Sequence, residues 1–136
     1  MSNFVLDASV ALSWCFPDEA TPETIALLKK LERVTAFVPA IWPLELGNIL
    51  VNAERKKRIK YAELVEFIGL LQELNIRVDP KTVDYSFHET LQLAYANKLT
   101  TYDSSYLELA IRLGIPLATK DKDLQSAATR LGVKVL

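Results

Sequence analysis

The chain has 136 residues, half of them hydrophobic, with 16 Lys and Arg against 17 Asp and Glu and a formal net charge of -1. That length suits one domain, spanning 1–136, with a core of its own, and excludes two comfortable ones. The charge balance excludes a generally basic protein, so nucleic acid would have to be held by a local patch. A single cysteine, Cys15, excludes an intramolecular disulfide. No apolar run reaches membrane-spanning length, and the start MSNFVLDASV lacks the charged and apolar regions of a signal peptide, so a cytoplasmic protein with no membrane contact is expected.

In chain order, Phe4-Val5-Leu6 reads as a first strand ending at Asp7, and Ala8–Leu12 as a short helix that Asp7 or Ser9 could cap, stopped by Pro17. Thr21-Pro22-Glu23 starts a helix with Ile25, Leu27, Leu28 and Leu31 on its apolar side. Ala36-Phe37-Val38 is a second strand. A helix from Pro43 to about Arg58 is apolar on most sides and is expected to be largely buried. Glu45, Asn48 and Asn52 stand out on it as a polar stripe that something must satisfy. Tyr61–Leu74 is amphipathic, with Leu64, Phe67, Ile68 and Leu71 on one side. Ile76-Arg77-Val78 is a third strand, and Asp79-Pro80 opens a helix with Val83, Phe87, Leu91 and Ala94 expected inward. A helix beginning near Asp103 buries Leu107, Ala110 and Ile111 and ends at Gly114. Ile115–Ala118 is a fourth strand, Lys122–Arg130 a helix, and Val133-Lys134-Val135 a last short strand. Short apolar strands alternating with helices predict a three-layer α/β/α sandwich around a central, mainly parallel sheet of four to five strands.

In such a sheet the C-terminal strand ends share one edge, where open α/β folds hold their ligands. Asp7 ends strand one, Glu45 lies in the first turn after strand two, Asp103 opens the helix before strand four, and Asp121 follows that strand. Carboxylates brought together there repel unless a cation joins them. With one Cys and one His in the chain, a protein metal site must be built mainly from oxygen, which suits Mg²⁺ or Mn²⁺ better than Zn²⁺. Phosphodiester cleavage is the reaction class such a site suits. Each acid also has a plainer reading: Asp7 and Asp103 as helix caps, Glu45 as a first-turn acid favoured by the helix dipole, Asp121 and Asp123 as loop acids.

Ser9 and Thr119 carry hydroxyls beside Asp7 and Asp121 and either orient a carboxylate or make a local cap or turn bond. Asn48 is expected in the pocket. His88 is expected on an exposed helix side. Arg55-Lys56-Lys57-Arg58 is the one dense basic run. It is either a solvated helix end or a patch that tracks a nucleic-acid strand, with Arg55 and Lys56 as candidate phosphate contacts. Lys120 and Lys122 flank Asp121 and could also reach phosphates. No Gly-rich phosphate loop is present, which counts against an NTPase or a dehydrogenase.

The segments Val5–Leu12, Leu44–Leu50, Tyr102–Ala110 and Leu117–Leu124 resemble the four acidic motifs of PIN domains, and most closely those of VapC-type ribonuclease toxins. The resemblance spans essentially the whole chain. It implies a PIN-like fold and a Mg²⁺- or Mn²⁺-dependent endoribonuclease that acts as the toxin of a toxin–antitoxin pair, with RNA as substrate. It also implies a homodimer neutralised by a small cognate antitoxin. By position, Asp7, Glu45, Asp103 and Asp121 take the catalytic places. Asp7 and Asp103 would ligate metal directly, Asp121 would complete the metal shell, and Glu45 would orient or deprotonate the attacking water. The alternatives are a non-catalytic PIN-fold module that binds RNA or protein, or another metal-dependent nuclease or phosphatase.

Overall fold

The computed structural model describes residues 2–136. Its four strands fall on the expected short runs: β1 (Phe4–Leu6), β2 (Ala36–Val38), β3 (Ile76–Val78) and the two-residue β4 (Leu117–Ala118). All pair in parallel in the order β3-β2-β1-β4. β1 lies inside the sheet and all three of its residues are fully buried, as central parallel strands must be. The last expected strand is reduced to one parallel bridge, Leu117 to Val135, beside β4. β3 forms the other edge, and its residues are only partly covered.

Eight helices connect these strands. They are α1 (Ala8–Ser13), α2 (Pro22–Lys30), α3 (Trp42–Arg55), α4 (Tyr61–Glu73), α5 (Thr82–Tyr85), α6 (Glu89–Asn97), α7 (Thr101–Leu113) and α8 (Lys122–Arg130). From β1 the chain steps to β2 and on to β3, and only then crosses back to β4 on the far side of β1. Right-handed crossovers in opposite directions put α1–α4 on one face of the sheet and the β3–β4 connection on the other. α7 packs on β1 and β4 and against α6 and α8. It is the central helix of its layer, buried at every position from Ser104 to Ala110. Thr100 caps it at the start and Gly114, at φ +66°, closes it in the left-handed conformation that glycine adopts without strain.

Three expectations about helix faces are corrected. α3 is not buried all round: Trp42, Leu46, Leu50 and Ala53 face the core, while Leu44, Ile49 and Val51 lie at the surface. The helix expected from Asp79 is broken at Ser86–His88 into α5 and α6, and its apolar stripe faces outward. Val83 is 74% exposed and Phe87 84%, Leu91 is exposed, and only Ala94 of the four is buried. On α2 and α7, Ile25 and Ile111 are exposed as well. On α2 the inward place belongs to Thr24, whose carbonyl accepts the Trp14 indole N–H at 2.8 Å.

Candidate functional site

The strand order reverses between β1 and β4, and such a switch point opens a crevice at the C-terminal strand ends. Asp7 sits there, 7% exposed. It occupies the N-cap position of α1 but makes no side-chain cap. Its Oδ2 instead accepts the Ser9 hydroxyl at 2.7 Å and the Thr119 hydroxyl at 2.6 Å. The same two hydroxyl oxygens accept backbone N–H groups of the loop after β4: Ser9 Oγ from Lys120 and Thr119 Oγ1 from Asp121, both at 3.0 Å. The Gln125 amide donates to the Thr119 carbonyl at 2.7 Å. Ser9 and Thr119 thus couple the end of β1 to the loop that carries Asp121.

Asp103 is not the cap of α7. Thr100 holds that position and accepts the Asp103 backbone N–H at 3.0 Å, which leaves the Asp103 carboxylate free of capping in the first turn. Glu45 lies in the first turn of α3 and accepts the Tyr106 hydroxyl on Oε1 at 2.7 Å. Tyr106 follows Asp103 by three residues, so one face of α7 carries both. Asp121 does cap its helix: its Oδ1 accepts the Leu124 N–H at 2.9 Å.

The carboxylates feel one another. Burial holds Asp7 above the usual carboxylate range against the pull of its Thr119 and Ser9 hydrogen bonds, and Asp121 pushes the same way. Burial also raises Glu45; the Tyr106 bond opposes this, and Asp7 and Asp103 add to it. Asp103 is raised by burial and then by Asp121 and Asp7. The Tyr106 phenol is raised by burial and by Asp7 and Glu45, so it remains a donor. Four acids from four separate elements therefore share one electrostatic neighbourhood.

Among the described residues, no group of three or more His, Cys, Asp or Glu side chains stands ready to hold a metal ion. One oxygen of Asp7 is engaged by two hydroxyls and one oxygen of Asp121 by the α8 backbone. In donor chemistry the set fits a hard divalent cation, being all oxygen and destabilised by its own unneutralised charge. Asp7, Asp103 and Asp121 are the residues that would hold it.

The other predicted residues make no hydrogen bond to the four carboxylates among the described residues. Asn48 is exposed on α3. Arg55 and Lys56 are exposed at the far end of that helix, ten residues from Glu45 and so about 15 Å along its axis. Arg58, from the same basic run, is engaged by Asp18 and Glu19 and stacks over the Phe16 ring at 3.8 Å. The Lys120 ammonium donates to the Glu19 carbonyl at 2.9 Å. Lys122, Asp123 and His88 are exposed. A cavity of about 520 Å³ between α6 and α7, lined by Tyr85, Leu93, Glu108 and Arg112 among others, contains none of the four acids. Sequence reasoning missed Tyr106 and Gln125. The hydroxyl of Tyr106 gives no sign in a run of core residues, although its spacing from Asp103 places it on the right face.

Fold and site together define an α/β protein with carboxylates gathered at the switch point of a parallel sheet. The family model described as the PIN domain matches residues 4–130, and the chain belongs to the PIN domain family. A search of curated proteins returns no match. Among solved structures, PAE2754 from Pyrobaculum aerophilum is similar at a TM-score of 0.72 and 21% identity, over 98% of this chain and 89% of that one. VapBC2 from Rickettsia felis, bound to a DNA fragment from their promoter, gives 0.67 and 14%, over 98% and 97%. FitAcB from Neisseria gonorrhoeae gives 0.55 and 20%, over 98% and 96%. At these identities the likeness is one of fold.

Proposed function

We propose that this chain is a Mg²⁺- or Mn²⁺-dependent endoribonuclease of the VapC toxin kind, which hydrolyses RNA phosphodiester bonds and is held in check by a cognate antitoxin. The observation that carries the reading is the convergence of Asp7, Glu45, Asp103 and Asp121 from four elements onto one switch point, three of them raised by burial and by neighbouring carboxylates. A bound divalent ion would supply the positive charge that lets these acids ionise together, and would lower the pKa of water while bearing charge on the reacting phosphate. Ser9 and Thr119 hold the Asp7 carboxylate and tie it to the Asp121 loop. Glu45, tethered through Oε1, takes the proton of the water that attacks phosphorus. Exposed Arg55 and Lys56, about 15 Å along α3, would contact phosphates two or three nucleotides from the scissile bond.

Purified protein should cut single-stranded RNA with Mg²⁺ or Mn²⁺ and stop with EDTA, and Asp7→Asn and Asp103→Asn should each abolish cutting. Cutting that survives both substitutions would sink the assignment. The partner proposals rest on surfaces. Val83, Phe87, Leu91 and Tyr95 are exposed apolar residues along α5, the turn after it and α6. They suit a homodimer. Sedimentation at micromolar concentration should give twice the chain mass, and Phe87→Asp with Tyr95→Asp should give the monomer. The antitoxin reading is supported by the PIN family membership and by the VapBC2 and FitAcB likenesses.

A further inference from the structure

The donor that holds Glu45 in the candidate site is a tyrosine. Tyr106 is fully buried, and its hydroxyl reaches across the layers from α7 to donate to Glu45 Oε1 at 2.7 Å. The two residues are 61 positions apart in sequence. No other hydrogen bond to the Glu45 carboxylate is present among the described residues, so this bond alone fixes it. The donor sits on a helix buried from Ser104 to Ala110, and Asp103 lies one turn earlier on the same face. One rigid helix therefore sets both the position of Asp103 and the orientation of Glu45.

We infer that Tyr106 is the positioning residue for Glu45: its hydroxyl occupies Oε1 and leaves Oε2 as the oxygen available to the attacking water. The inference rests on the nuclease reading and adds to it a residue outside the four acids. Restraint of this kind acts on the chemical step. A carboxylate that rotates freely spends little time in the geometry that accepts a proton, whereas substrate binding does not depend on it.

The test is Tyr106→Phe, which keeps the ring and its packing and removes only the donor, measured beside Glu45→Gln and the double variant. A hydrogen bond to a charged group predicts that Tyr106→Phe lowers kcat about 10- to 100-fold with KM unchanged. Adding Tyr106→Phe to Glu45→Gln should lower kcat no further, because the group it positions is already disabled. The stabilisation of Tyr106→Phe by Mn²⁺ should match that of the original chain, because Asp7, Asp103 and Asp121 are untouched. Unchanged kcat, an equal loss in the Glu45→Gln background, or loss of the Mn²⁺ effect each overturns the inference. A starting protein that cuts no RNA overturns the nuclease reading, and this inference falls with it. Should Tyr106→Phe not fold, 3-fluorotyrosine at position 106 keeps ring and hydroxyl while strengthening the donor. It should change kcat without changing KM, and no change in kcat overturns the inference.

Discussion

Asp7→Asn should make the metal-free protein more stable while removing its response to metal. Asp7 is 7% exposed, and burial holds it above the usual carboxylate range despite two hydroxyl donors at 2.6 and 2.7 Å. The asparagine carbonyl oxygen can accept both hydroxyls, so the hydrogen bonds survive and only the charge is lost. Relief of a strained functional group is typically worth on the order of 1 kcal/mol. For a chain of this size that is a rise in Tm of about 3–5 °C. An ion that binds only the folded state at one hundred times its Kd adds about 2.7 kcal/mol. The original protein should therefore gain a larger Tm increase from Mn²⁺ than the substitution gives, and Asp7→Asn should gain none. Thermal melts with and without millimolar Mn²⁺ read both effects. A lower metal-free Tm in Asp7→Asn, or an intact Mn²⁺ shift, would refute the reasoning.

Other outcomes follow from the same geometry. The Arg112 guanidinium bonds Asp79 at 2.7 Å and Glu108 at 2.8 Å in a nearly buried network, so Arg112→Met should cost about 3–5 kcal/mol in urea unfolding. Burial pushes Asp79 up, but the Arg112 and Thr82 hydrogen bonds outweigh it and hold Asp79 below its ordinary value of 3.8. The folded state then binds fewer protons than the unfolded one, so this stabilisation is complete above that value and is lost as pH falls through the depressed one. Acid titration of stability should show this loss in the original chain and not in Asp79→Asn. Arg55→Ala with Lys56→Ala should raise KM for RNA, leave kcat alone and flatten the log–log salt dependence of binding by about 1.4.

The strands were legible because each is a short, mostly apolar run, and the shared C-terminal edge followed from their alternation with helices; the strand order β3-β2-β1-β4, and with it the switch point, came from the structure. Asp7 stood out as a charged residue at the end of a buried strand, whereas Glu45 and Asp103 lie in first helical turns and stood out only in company with it. Helix faces were less legible. Val83, Phe87 and Leu91 recur at helical spacing, and sequence periodicity cannot distinguish an apolar stripe turned to the core from one turned outward. On α3, Leu44, Ile49 and Val51 misled in the same way, making an amphipathic helix look buried. Ser9 and Thr119 were found because each lies two residues from a candidate acid. Tyr106 was not, because a buried aromatic reads as core until its hydroxyl is seen to have a partner 61 residues away. The plain cap reading failed for Asp7, whose carboxylate is used across the sheet. It failed for Asp103 too, whose helix is capped by Thr100, while Asp121, read plainly as a loop acid, caps α8 and stands beside the other acids at once.

The central claim, that Asp7, Asp103 and Asp121 hold a divalent metal at the switch point beside Glu45, is tested most directly by crystals soaked in Mn²⁺ and measured for anomalous scattering. The prediction is a peak within about 2 Å of carboxylate oxygens of Asp7 and Asp103, absent from Asp103→Asn crystals. A Mn²⁺ peak elsewhere on the molecule, with none between these acids at saturating metal, would contradict it.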